Sequence, residues 1–171
     1  MFNFWARKAR MKEIVYRGGL VKFFVPESWI EEYEPSGGGT FHENSPNSGT
    51  LRLNVITATT PKEVDPDTAF EALKLNKDAT PEFSKRLPNG NAVGSWVTHG
   101  TDRGEAISQF WWEVVNPVPP HHIRLANFSY TVLATQEKLP NVVNEVKFLN
   151  DSIEQLVFYP SLGEQSINEG S

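Results

Sequence analysis

The stretch richest in chemically capable residues is EEYEPSGGGTFHEN, positions 31–44. Gly37, Gly38 and Gly39 stand there among four glutamates and His42. A glycine-rich loop cradles phosphate when a Lys-Ser/Thr pair follows it and a helix begins. Here Thr40-Phe41-His42-Glu43 follows and has the pattern of a strand, so this is no phosphate loop. The glycine spacing also departs from that of a dinucleotide-binding turn. Glycine supplies positive φ at no steric cost, and a hairpin turn is the reading that needs nothing more.

The other titratable groups are no closer to a reaction. His42 and Glu43 are neighbours on a strand and point to opposite faces, so they cannot chelate one metal together. His121 and His122 sit in the proline-rich NPVPPHH with no carboxylate nearby in sequence, whereas zinc wants three or four convergent ligands. The chain has no cysteine, which excludes disulfides, thiolate zinc sites and a cysteine nucleophile. No G-x-S-x-G places a serine on an elbow. Glu31 and Glu32 are adjacent acids of the kind that face solvent. No catalytic residue, metal ligand or cofactor motif emerges, so none is assigned.

One strand carries a sharper question. In SQFWWEVV, positions 108–115, alternation puts Ser108, Phe110, Trp112 and Val114 on one face, which is mostly apolar and should meet the core. Gln109, Trp111, Glu113 and Val115 share the other, half-polar face. Large apolar side chains are seldom left bare, so cover is the expected state for Trp111. The N-terminal aromatics Phe2, Phe4 and Trp5, or a helix near Phe70, would supply it. The alternative is a partner-binding patch formed by Trp111, Gln109 and Arg52 from a neighbouring strand, because tryptophan and arginine are enriched at binding hot spots.

The elements that must position these groups follow from hydrophobic period. Strands are expected at 20–25, stopped by Pro26, then at 29–33, through TFHE, and over TLRLNVITA, where Leu51, Leu53 and Val55 share a face. Up to residue 58 this gives an antiparallel meander. Thr68 and Glu71 have capping-box spacing, which predicts a helix over 67–77. A weak strand at 83–87 and a turn at 88–91 precede three longer strands at 92–101, 105–116 and 122–134. Thr101-Asp102-Arg103-Gly104 joins the first two of these as a hairpin turn. Val142, Val146, Leu149, Ile153 and Leu156 form an apolar stripe, which predicts a helix over 141–158, ended by Pro160. Trp29 is expected as a core wedge.

The whole chain has 171 residues and 39% apolar content, with 11 Phe and 5 Trp, enough for one domain with its own core. Residues 14–160 are expected to form that domain, 1–13 an N-terminal arm and 161–171 a tail with little to bury. Net charge is −5 with signs intermixed, which argues against nucleic acid as a partner. No run approaches the ~20 apolar residues of a membrane span. MFNFWARKARMKE has its aromatics before its basic residues, the reverse of a secretory signal, so a cytoplasmic location is expected. The arm is read as packing on the domain, with contact at a membrane surface as the alternative.

Runs of strands with helices between and after them define an α+β chain, an antiparallel sheet with helices packed on it. At this point the order of elements resembles a known family. LVKFFVPESW, GTLRLNV, a helix, a strand pattern ending in IRLANFSYTV and a final amphipathic helix resemble the PsbP-like fold over about residues 14–158. That fold is shared by an extrinsic subunit of photosystem II, a Ran-binding nuclear-transport protein and many bacterial proteins. The resemblance implies an α/β/α sandwich and binding to another protein, with no shared active site to carry over. The expected function is thus a non-enzymatic, soluble protein-interaction module of bacterial type. The alternatives are an enzyme or small-molecule-binding protein with an unadvertised pocket, and an immunity or adaptor protein for a partner encoded nearby.

Overall fold

TLRLNVITAT buries Leu51, Leu53 and Val55 and exposes Arg52, Asn54 and Ile56, the period-two signature of a strand with one face on the core. The computed structural model, which describes residues 10–74 and 83–159, places this strand near the middle of a seven-stranded sheet. The strands are β1 (Met11–Tyr16), β2 (Val21–Pro26), β3 (Ile30–Tyr33), β4 (Gly39–His42), β5 (Thr50–Thr59), β6 (Phe83–Arg86), β7 (Ala92–Asp102), β8 (Glu105–Val118), β9 (His122–Leu133) and β10 (Val157–Phe158). The helices are α1 (Pro66–Lys74) and α2 (Pro140–Glu154). The large sheet runs β3-β4-β5-β9-β8-β7-β6, and every neighbouring pair is antiparallel. The α+β class is therefore as expected.

The expected single meander divides in two. β1, β2 and β10 form a separate three-stranded sheet, and only β3, β4 and β5 continue as a meander in the large one. β1 was not anticipated; it begins at Met11, inside the span expected as an arm. The remaining residues of that arm, with Phe2, Phe4 and Trp5, and the tail from 161 lie outside the described residues. The three long strands and the turn between β7 and β8 are as expected. Arg103 (φ 50°) and Gly104 (φ 81°) both have positive φ, as a two-residue type I′ hairpin requires.

Two helix boundaries need correcting. The N-cap of α1 is Asp65, not Thr68. Thr68 N–H donates to Asp65 Oδ1 (2.9 Å) and Asp65 N–H donates to Thr68 Oγ1 (3.3 Å). Pro66 takes the first helical position, where its missing N–H costs nothing. The C-terminal helix stops at Glu154 rather than 158. Gln155 leaves helical geometry (φ −93°, ψ 5°), and Val157 and Phe158 pair with Lys22 and Val21 as β10. Leu156 continued the apolar stripe because it is buried, although it is not helical. Where β10 ends, α2 supplies the missing partner for β2. Phe24 N–H donates to Ser152 Oγ (3.1 Å), and that hydroxyl donates back to the Phe24 carbonyl (2.7 Å).

The main core lies between one face of the large sheet and the layer made by the small sheet and α2. Phe23 packs edge-to-face on Phe41 and Phe128, and Trp29 stacks on Tyr130, so the expected wedge is in place. On the opposite face α1 buries Ala69 and Leu73 against Ala92, Val115 and Ile123. The described residues thus cover the large sheet along one face and at one end of the other.

Candidate functional site

The face that carries α1 is built from rows that the ladder register fixes. Thr40, Arg52, Ser129, Trp111 and Trp96 stand opposite one another across β4, β5, β9, β8 and β7. The row nearer α1 holds Asn54, Asn127 and Glu113, and the row beyond holds Thr131, Gln109 and Thr98. Alternation therefore brings Trp111 and Arg52 together as the sequence suggested, with one strand between them. Gln109 belongs to the next row, where its amide donates to Thr131 Oγ1 (3.3 Å).

The two expected faces of β8 are present, but their burial is not uniform. Trp112 is buried and its indole N–H donates to Asn150 Oδ1 (3.3 Å). Val115 and Glu113, on the other face, are buried as well. The helix near Phe70 accounts for Val115. Trp111 itself is half-buried. Its ring lies parallel to that of Trp96 (6° between planes, centroids 6.1 Å apart), and its N–H donates to Thr98 Oγ1 (2.9 Å). Trp96 does not stand out in the sequence as a partner for Trp111. The hidden signal was its register opposite Trp111, which needs the turn at 103–104 to be placed to the residue.

A groove of about 510 Å³ opens beside Trp111. Arg52, Asn54, Asn127 and Ser129 line its floor, and the hairpin loop between β3 and β4 lines its far end through Glu34, Gly37 and Gly38. The glycines do form the expected turn. Gly37 and Gly38 take φ of 100° and 107°, and Gly38 N–H donates to Tyr16 Oη (2.9 Å). A side chain at Gly37 would collide with the Arg17 guanidinium. The loop also borders a second groove of about 520 Å³, lined by Glu13, Arg17, Glu31 and Tyr33. There Tyr33 donates to Glu31 Oε1 (2.7 Å), and burial, then the Glu31 carboxylate, pushes the phenol well above its usual range.

Among the described residues no three metal-binding side chains converge. His42 Nε2 lies 3.7 Å from Glu32 across the hairpin, and its Nδ1 lies 3.3 Å from the backbone carbonyl of Glu43. His121 is half-buried and His122 exposed, and the buried Nδ1 of His121 has no hydrogen-bond partner among the described residues. The group most displaced from ordinary behaviour on α2 is Glu145. Burial raises its carboxyl against hydrogen bonds from Tyr130 and Ser48, and Glu43 adds to the rise. Ser48 Oγ lies 3.1 Å from both carboxyl oxygens, Tyr130 donates to one of them and accepts Gly49 N–H (3.0 Å). This cluster clasps the loop before β5 to α2, with its bonding capacity spent internally.

No family model matches the chain, and no curated protein matches it in sequence. Its fold is shared by solved structures. A protein from Bacteroides thetaiotaomicron VPI-5482 superposes with a TM-score of 0.59 at 13% identity, covering 86% of this chain and 48% of that one. The chain thus spans about half the length of that protein. LpqN, involved in cell envelope biogenesis of Mycobacterium tuberculosis, gives 0.54 at 17% identity over 94% of this chain and 98% of LpqN. The Saccharomyces cerevisiae Ran-binding protein Mog1p gives 0.49 at 11%, over 88% and 96%. At these identities the likeness is one of fold alone. No helix among the described residues is long and apolar enough to cross a membrane.

Proposed function

We propose that this chain is a non-enzymatic protein-interaction module, and that its partner docks on the open part of the large sheet, at the groove beside Trp111. The observation that carries this reading is the parallel, half-buried pair Trp96 and Trp111, left beyond the reach of α1 and in one row with the exposed Arg52. A tryptophan whose ring is partly wet loses less on folding and has more to gain from a partner than one in the core. No described cluster offers a nucleophile with its base facing an open cavity, so the groove is suited to holding rather than transforming.

The test is a pair of substitutions on adjacent residues of one strand. Trp112→Ala removes a core side chain and should cost about 3–5 kcal/mol. Trp111→Ala should cost clearly less in urea denaturation while weakening capture of the partner from an extract of the native host. Equal losses of stability from both, with capture unchanged, would sink the docking surface and leave Trp111 as packing.

A further inference from the structure

Building on that docking surface, we infer that its occupant is an extended peptide segment that crosses the strands, with an apolar side chain at Trp111 and a side-chain carboxylate at Arg52. Four polar groups on the groove floor support this. The side chains of Arg52, Asn54, Asn127 and Ser129 make no hydrogen bond or ion pair to any described residue. Asn54 and Asn127 stand directly opposite each other on β5 and β9. Each amide offers one acceptor and two donors, the complement of a peptide group's C=O and N–H. Two such amides on adjacent strands suit a ligand whose own backbone is unpaired, which is what an extended segment brings and a folded surface does not.

Charge decides what the segment carries. Among the described residues Arg52 is the only cation lining the groove, it is exposed, and it is two strands from Trp111. Two strand spacings come to about 9–10 Å, the reach of about three extended residues. A guanidinium takes a carboxylate through two parallel N–H bonds, so an acidic side chain is its natural complement. The one carboxylate among the described lining residues, Glu34, is exposed on the hairpin loop at the far end, where it repels a second acid. The glycines beside it carry no side chain and leave the floor open to a peptide backbone. The binding pattern is thus an apolar residue followed or preceded, about three positions away, by Asp or Glu.

The probe is a displayed library of random twelve-residue peptides selected on the full chain, with a Trp111→Ala, Arg52→Gln double variant as counter-selection. Selected peptides are then measured by fluorescence polarisation against single variants whose folding is checked by circular dichroism. The expected consensus pairs an apolar residue with an acid about three positions away. Arg52→Gln should weaken those peptides about tenfold or more, Asn127→Ala should weaken them measurably, and amidating the peptide's acid should match the Arg52 effect. Affinity unchanged by Arg52→Gln but lost with Trp111→Ala would overturn the carboxylate while sparing the docking surface. Affinity indifferent to Trp111→Ala would overturn both. Binding of a neutral glycan array, or self-association in sedimentation that Trp111→Ala abolishes, would replace the peptide with a sugar or a second copy and overturn the inference.

Discussion

At Gly38 the backbone has φ of 107°, a region that a side chain enters only with strain, and its N–H is spent on Tyr16. Gly38→Ala should therefore cost more than an ordinary glycine-to-alanine change, about 1–2 kcal/mol, read as a lower urea midpoint with an unchanged slope. An unshifted midpoint would show that the loop relaxes freely. Glu145 supplies a pH-dependent prediction. Its ordinary value is 4.5 and burial raises it in the folded chain. The native state then holds a proton that the unfolded chain has released, so this group's contribution falls as pH rises from 4.5 through the raised value. Glu145→Gln has no such proton and keeps an acceptor for Tyr130. Thermal scans across that window should show a shallower decline for the variant; identical slopes would mean that Glu145 titrates normally.

At the scale of elements, α2 is the part of the covering layer that joins the two sheets. Val142, Leu149 and Ile153 are fully buried against the core, and Ser152 ties the helix to β2. Leu149→Ala should cost about 2–5 kcal/mol, the range for a large aliphatic side chain removed from a packed core. A chain ending before residue 140 should lose cooperative unfolding, since β10 and the clasp at Glu145 go with it; a sharp, native-like transition from that fragment would contradict this assignment. The helix was legible from the three- and four-residue spacing of its apolar residues. Its end was not, because burial of Leu156 preserved the spacing beyond the last helical turn. Local apolar period reports which side chains are inside, and it does not report whether the backbone between them is still helical.

For the whole molecule the order of the large sheet sets the order of local opening. β8 and β9 pair over twelve residues and β5 with β9 over ten, so these strands have neighbours on both sides. β3 and β6 are four-residue edges whose side chains are exposed apart from the half-buried Lys85. Amide hydrogen exchange should be slowest in the middle of β9 and β8 and fastest in β3 and β6, because an edge opens without breaking a second ladder. Fast exchange at Phe128 and Tyr130 would be incompatible with this strand order.

The sequence by itself determined the α+β class, the long strands β7, β8 and β9, the turn at Arg103-Gly104 and the buried stripe of α2. Each rests on a short-range period or a backbone requirement that a few neighbouring residues state in full. It also sorted the side chains of β8 into two faces, since alternation needs no knowledge of the partners. Only the tertiary structure decided the split into two sheets, because β10 reaches its partner β2 from more than a hundred positions away. The same holds for the groove. Trp111 and Arg52 lie 59 positions apart, and β9 must be threaded between their strands before they share a row. The register of three ladders brings Trp96, Ser129 and Asn127 beside them, and register is set by long-range pairing and not by any local pattern of residues.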